Sequence, residues 1–360
     1  MVNSKHIHYL DYLRILACLA VVFLHVSVQK WASVNTTDTT WMIYNSYSSF
    51  VRWAVPVFVM ISGALFLQKE RSISTLLRKN IFRLAFVFLI WSVFYAGVYA
   101  IKDIMMASET FRFGEMIKNI LQGHYHMWFI PMFIALYLCT PILSRLVKDP
   151  KMVKYLLLLS LIFSFLIPFV INLLNDFTSG FPALIGDAIS YQASVMEIYN
   201  LSAYGGYFIL GYALSLHKPT KKQRLIIYLL GIAGVILTII LSTAYAHKYQ
   251  TASARYFQEY TPNVAIQAVA VYVWVQARLE KSDSSRIQHL SKYALGVILI
   301  HPFIISILDI LKFNTAMMHP VLSVPVVWLT VSGISFVITV LLCKIPLIRK
   351  YVFNITENKS

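Results

Sequence analysis

Apolar residues along this chain gather into blocks of about twenty, divided by short polar or basic turns, and a helix of that length crosses the hydrocarbon core of a bilayer. Roughly ten blocks stand out, at about 8–29, 50–68, 81–101, 126–145, 154–174, 203–216, 225–246, 262–279, 292–311 and 321–343. The pattern predicts an all-α, polytopic integral membrane protein with about ten transmembrane helices. The sixth block is the short one, and a start near Val195 would lengthen it.

The polar positions between blocks are not evenly distributed. All but eight of the 31 Lys and Arg residues fall at the termini or in the even-numbered connections, among them Lys5, Lys69, Arg71, Arg78, Lys79, Arg83, Lys148, Lys222, Arg286 and Lys359. The eight on the other side are Lys30, Arg52, Lys102, Arg112, Lys118, Lys248, Arg255 and Lys312. By the positive-inside rule both termini are cytoplasmic. The connections 30–49, 102–125 and 175–202 on the opposite face are long, and loops of that kind commonly carry recognition. Within the third, Asp176, Asp187, Glu197, Tyr191 and Tyr199 through Asn200 form either a surface for hydroxyl-rich sugars or an interfacial segment with tyrosines at headgroup level.

Composition agrees with the pattern, since 58% of residues are hydrophobic and 13% charged. The net charge of +16 is therefore mostly a topology signal, and nucleic acid is not an expected partner. Cys18, Cys139 and Cys343 lie within apolar blocks at unrelated spacings, which suits neither a disulfide framework nor a zinc site. The first block lacks a convincing cleavage site and is expected to remain as an anchor.

Chemistry then narrows to a few ionisable residues that lipid would exclude. Arg14 and His25 are eleven residues apart, three helical turns to within about 20°, so they share one stripe about 16 Å apart. Arg14 could also snorkel to lipid phosphate or pair with Asp11 one turn away, and His25 could simply hydrogen-bond between helices. His301 falls midway along the ninth block beside Pro302, which would loosen the backbone there. Two buried histidines and an arginine point to a polar cavity. His124 and His126 have a spacing poor for a helical metal site, and no metal is expected. Pro56 and Pro131 are expected as kinks, and Gly205, Gly206 and Gly211 as points of close helix contact.

Taken in order, several segments resemble the acyltransferase 3 membrane proteins, and among them the WecH-like surface-polysaccharide O-acyltransferases in their stand-alone membrane form. These are Asp11-Tyr12-Leu13-Arg14 with His25, Val55-Pro56-Val57-Phe58 through Ser62-Gly63, and the basic turn Leu77-Arg78-Lys79-Asn80-Ile81-Phe82-Arg83. His126-Met127-Trp128-Phe129 leading to Tyr137 and Pro141, Gly206 through Tyr212, and Tyr293-Ala294-Leu295-Gly296-Val297 to His301 complete the match. Two departures are Ala64, where the family commonly has Tyr or Phe after Ser-Gly, and the absence of anything like the extracytoplasmic esterase domain fused to some relatives.

The resemblance implies an acyltransferase domain over 1–344, with 345–360 a short cytoplasmic tail, in a cell membrane of bacterial cytoplasmic type. It implies transfer of an acyl group, most often acetyl, from cytoplasmic acyl-CoA to a sugar hydroxyl of a lipid-linked or surface glycan, with no permanently bound cofactor. On that reading Arg14, Arg78, Lys79 and Arg83 meet the donor's phosphates, and His25 and His301 carry the catalysis, by general base or acyl-histidine chemistry. Membrane lipids are further partners, and a homo-oligomer stays open. Neither Asp11 nor Asp309 is placed to orient the histidines. A secondary transporter or exporter of a glycan or small polar substrate would share the midplane charges and broken helices, and a sensor or assembly subunit is a third class.

Overall fold

The structure, a computed structural model, describes residues 6–105, 113–196 and 199–355, with side chains 102–105 and 199–202 outside the description. Lys5, Lys102, Arg112 and Lys359 of the charge pattern, and Glu197, Tyr199 and Asn200 of the outer stretch, thus lie outside the described side chains. Among the described residues every regular element is helical.

Helix α1 (His8–Ser27) leads through a 3₁₀ turn into α2 (Thr39–Phe50) and α3 (Ala54–Phe66). A short α4 (Ile73–Leu76), capped by the Ser72 hydroxyl, runs through a π-helical turn at Leu77–Ile81 into α5 (Phe82–Met105). Then come α6 (Phe113–Gln122), α7 (Phe129–Leu146), α8 (Pro150–Leu159), α9 (Ile167–Phe177), α10 (Phe181–Met196) and α11 (Tyr199–Leu216). The chain continues through α12 (Lys221–Tyr249), α13 (Pro262–Leu279), α14 (Ser285–Ser291), α15 (Ala294–Ile310), α16 (Pro320–Leu342) and α17 (Pro346–Tyr351). Among the described residues seven helical stretches are long and apolar enough to cross a membrane, or eight if α14 and α15, bent by 49°, count as one. The expected spans at 203–216 and 262–279 coincide with α11 and α13, which are not among the seven. Helix α13 is less apolar for a visible reason: it buries Asn263, Gln267 and Gln276 against its neighbours.

The long connections differ from expectation. Residues 39–50 form α2, which buries Trp41, Tyr44 and Asn45 inside the bundle, and 181–196 form α10. Asp176 is committed to an ion pair with Arg255 and a 2.8 Å hydrogen bond from the Tyr256 hydroxyl, so it is not free for a ligand. Phe181, Leu184 and Tyr191 are exposed along α10. Within the segment after Lys344, the described residues 345–355 pack back on the bundle. Phe353 is buried against Trp91, with rings 5.9 Å apart, and the Trp91 indole donates to Val352 O at 3.1 Å.

Small residues let the central helices meet. A Cβ on Gly63 of α3 would lie 1.7 Å from Phe208 O, and one on Gly211 of α11 would lie 2.0 Å from Met60 O, so the two backbones touch. Gly206 packs on Ser160, whereas Gly205 has open space beside it and makes no such contact. Pro56 and Pro131 fall in the first turns of α3 and α7, where a missing N–H costs nothing, so they start helices and do not kink them.

Contacts sort the connections into two ends. Lys148 pairs with Glu70, Lys218 with Glu280, His8 with Asp283 at 3.2 Å, and Tyr12 with Ser282 at 2.8 Å. At the other end Lys30 meets Asp309 at 3.0 Å, Thr315 N donates to Gln29 at 3.3 Å, His247 meets Thr36 O at 3.1 Å, and Lys248 donates to Asp176 O at 2.7 Å. The first set joins the even-numbered connections and the second the odd-numbered ones. Single cysteines at Ser74 and Ser179 in a cysteine-free background should therefore react with an impermeant maleimide from opposite sides of sealed vesicles. Labelling of both from one side would break this alternation. Gly63→Ala should lower thermal stability by about 1–3 kcal/mol, because backbone rather than a movable side chain blocks the new methyl. An unchanged melting curve would mean that α3 and α11 are further apart.

Candidate active site

A cavity of about 470 Å³ lies among α1, α3, α7 and α15. Arg14, Ser62, Asn80 and Tyr137 line it toward the start of α1, and Arg52, Trp128 and Glu259 line it toward the opposite end. His25, His126 and His301 also face it.

The orientation of His301 follows from the residue after it. Proline has no backbone N–H, so Pro302 cannot serve the carbonyl one turn earlier, that of Ile298. His301 Nδ1 takes that place at 2.7 Å from Ile298 O. A carbonyl only accepts, so Nδ1 carries the proton and Nε2 is left as the bare acceptor. That Nε2 is buried and has no hydrogen-bond partner among the described residues. The His25 ring lies 4.9 Å from the His301 ring, centroid to centroid, and 5.7 Å from that of Tyr125. His25 is half-buried and open to the cavity.

His126, which the sequence spacing argued against as a ligand, belongs to the same cluster. Its ring is 5.7 Å from that of His301 and 5.2 Å from that of Tyr95, and its Nε2 is also buried without a partner among the described residues. Tyr95 is fixed by donating to Leu299 O at 2.7 Å, and it stacks on His124 at 4.0 Å. The cluster is therefore built on α15 and held by α5 and the turn before α7. Metal-type ligand atoms within 4.8 Å of one another occur among the described residues in His6, His8 and Asp11, at the start of α1, not in the cavity. Asp11 there already accepts from Arg14 at 3.0 Å and from the Ser291 hydroxyl at 2.8 Å.

The expected donor residues separate. Arg14 lines the cavity while paired with Asp11. Arg78 and Lys79 are exposed on the π-helical turn, whose contribution to the lining is Asn80, and Arg83 is half-buried and is not part of the lining. Asn354, from the C-terminal segment, closes on the same cavity. No orienting carboxylate reaches the histidines from Asp11 or Asp309, which are engaged with Arg14 and Lys30, and for His301 a backbone carbonyl takes that role.

Sequence reasoning missed the opposite end. Arg52 looked like one of a few outer basic residues, yet its guanidinium lies 4.2 Å over the Phe257 ring and its Nε has no hydrogen-bond partner among the described residues. Glu259 sits in the connection after α12, where burial raises its carboxyl above the usual carboxylate range, opposed by Arg52 and by the Tyr204 hydroxyl that hydrogen-bonds it. The usable signal was charge at the edge of apolar blocks, Arg52 next to Trp53 and Glu259 next to Tyr260.

A helical membrane protein whose central cavity holds histidines between two half-buried arginines is built for polar chemistry inside the bilayer. Residues 7–344 match the acyltransferase domain model of the acyltransferase 3 family, so the chain belongs to that family and is an acyltransferase. No curated protein and no solved structure matches the chain.

Pro302→Ala should return an N–H to Ile298 O and release the His301 ring from it. We expect transfer activity to fall about tenfold while thermal stability stays equal or rises, since a helix-interior proline is removed. Full activity in that variant would mean that the carbonyl does not set the histidine.

Proposed function

We propose that the protein is a membrane O-acyltransferase of the WecH-like kind. It moves an acyl group, acetyl by preference, from cytoplasmic acyl-CoA to a sugar hydroxyl of a surface or lipid-linked glycan. Its place is the cytoplasmic membrane of a bacterial cell, with about ten spans and both termini inside. The observation that carries this reading is one cavity shared by Arg14, His25 and His301 in a chain of the acyltransferase 3 family.

On this reading the donor's phosphates meet Arg14 and the basic turn of Arg78, Lys79 and Arg83, where a guanidinium offers paired N–H donors. The flexible pantetheine arm carries the thioester inward over the separation that divides Arg14 from His25, about 16 Å along a helix. There the acceptor oxygen attacks the thioester carbonyl and passes its proton to the His25 imidazole. Collapse of the tetrahedral intermediate breaks the C–S bond, and the thiolate of CoA takes the proton back from His25. His301 Nε2, bare because Nδ1 donates to Ile298 O, supplies an acceptor beside His25 that steadies its protonated form.

His25→Ala should keep expression and CoA affinity and lower turnover by about a hundredfold or more, the scale for loss of a general base. His301→Ala should also impair turnover, by less. Near wild-type transfer of radiolabelled acetyl by purified His25→Ala would move the base to His301. Arg14→Lys retains the charge but loses the planar fork, so the Kd for acetyl-CoA should rise with folding intact. An unchanged Kd and turnover would return Arg14 to a purely interfacial role.

A further inference from the structure

We infer that the Arg52–Glu259 end of the cavity is the subsite for the acceptor, and that it is built for an uncharged sugar ring. This rests on the acyl-transfer reading and adds to it the chemistry of the second substrate.

A guanidinium taken out of water requires hydrogen-bond acceptors. Arg52 is held over the Phe257 ring, whose π face attracts the cation but accepts no conventional hydrogen bond from Nε. Glu259 lines the same space as Arg52. Glu259 is in turn fixed, because the Tyr204 hydroxyl donates to its carboxylate and the Tyr207 hydroxyl donates to its backbone carbonyl. The cavity end thus presents both a donor-only cation and an acceptor-rich acid among its lining residues.

That pairing selects its ligand. An anion would satisfy Arg52 and be repelled by Glu259, and a cation would meet the reverse. A hydroxyl both donates and accepts, so neighbouring hydroxyls on a neutral ring serve both groups together. Trp128 lines the same end and is 42% exposed, with its ring 6.0 Å from that of Tyr204. It offers a flat apolar face for the C–H side of a sugar ring. The position also suits the reaction. Arg52 and His25 line the same cavity, so a hydroxyl held here shares the space of the base at the end opposite Arg14.

The test uses purified full-length protein in nanodiscs with radiolabelled acetyl-CoA and a panel of methyl glycosides. The panel holds neutral glucoside, galactoside and N-acetylglucosaminide, with the anionic glucuronide and the cationic glucosaminide as charged counterparts. We expect neutral rings to be acetylated in preference to both charged ones. Glu259→Gln, which is isosteric, and Arg52→Gln should each raise the acceptor KM about tenfold or more while the acetyl-CoA Kd stays within about twofold, and Glu259→Asp and Arg52→Lys should recover part of the loss. Glu259→Gln keeps the test valid if Arg52→Gln does not fold. An acceptor KM unmoved in the variants, or preference for the glucuronide or glucosaminide, overturns the subsite. Wild-type protein that binds and hydrolyses acetyl-CoA yet acetylates no sugar in the panel overturns the saccharide assignment alone. Wild-type protein that does not bind acetyl-CoA overturns the acyl-transfer reading beneath it.

Discussion

Inside a bilayer no water is at hand to satisfy a polar group, and this one constraint arranges the bundle. Several neutral polar side chains are used between helices, where their amide or hydroxyl groups donate across the interface. Asn45 of α2 donates to Ser242 of α12 at 2.9 Å, and Asn263 and Gln267 of α13 both donate to Thr238 of α12, at 2.7 and 2.8 Å. Gln276 reaches Leu214 O at 2.8 Å, and Tyr272 reaches Gly211 O at 3.3 Å, tying α13 to α11. Where helices meet without polar side chains, glycine brings the backbones into contact, as Gly63 and Gly211 do between α3 and α11. The result is a rigid wall on which a wet or ligand-filled space can be kept open.

Against that background the unsatisfied atoms carry meaning. Of the sixteen buried side-chain atoms without hydrogen-bond partners among the described residues, Arg52 Nε, His126 Nε2 and His301 Nε2 belong to residues that line the one cavity, together with Asn80 Oδ1 and Asn354 Oδ1. Their neighbours have been used to aim them and not to satisfy them. His301 is aimed by a carbonyl that proline leaves free, Arg52 by an aromatic face, and Glu259 by two tyrosines. A site prepared this way is preorganised, since its donors and acceptors need no rearrangement when a polar ligand enters.

How much of this could be read in the sequence depended on whether the signal was local. The apolar blocks and the Arg14–His25 stripe are periodic along the chain, so fold class and the cavity shared by Arg14 and His25 were legible. His301 was legible for its burial, but its tautomer needed the Ile298 carbonyl and the missing N–H of Pro302 in three dimensions. His126 was set aside on an i, i+2 spacing that argues against two ligands on one helix; the turn at Tyr125–Trp128 is 3₁₀, so that rule did not apply. The long outer connections read as loops because α2 carries Asn, Ser and Thr, yet Asn45 bonds to α12, Ser48 and Ser49 bond to their own helix, and one face of α2 is buried. Arg52 and Glu259 are far apart in sequence and were invisible as a pair. In the basic turn, charge density alone does not say which members line the cavity: Asn80 does, while Arg78 and Lys79 are exposed beside it.

The two arginines of the cavity differ in a way that fits two different substrates. Arg14 already holds Asp11 at 3.0 Å and is within 3.4 Å of the Ser291 hydroxyl, so an incoming phosphate must share or displace an existing partner. Such a site stays folded and charged when empty, and it releases its ligand readily because the internal acid takes over again. Arg52 has no such substitute at Nε, and a ligand there gains the full value of an unmade hydrogen bond. On the proposed reading the exchangeable end receives CoA, which must leave after each turnover, and the unsatisfied end receives the sugar, which must be held still beside His25. The asymmetry of the two ends is then a division between a substrate that is passed through and one that is positioned.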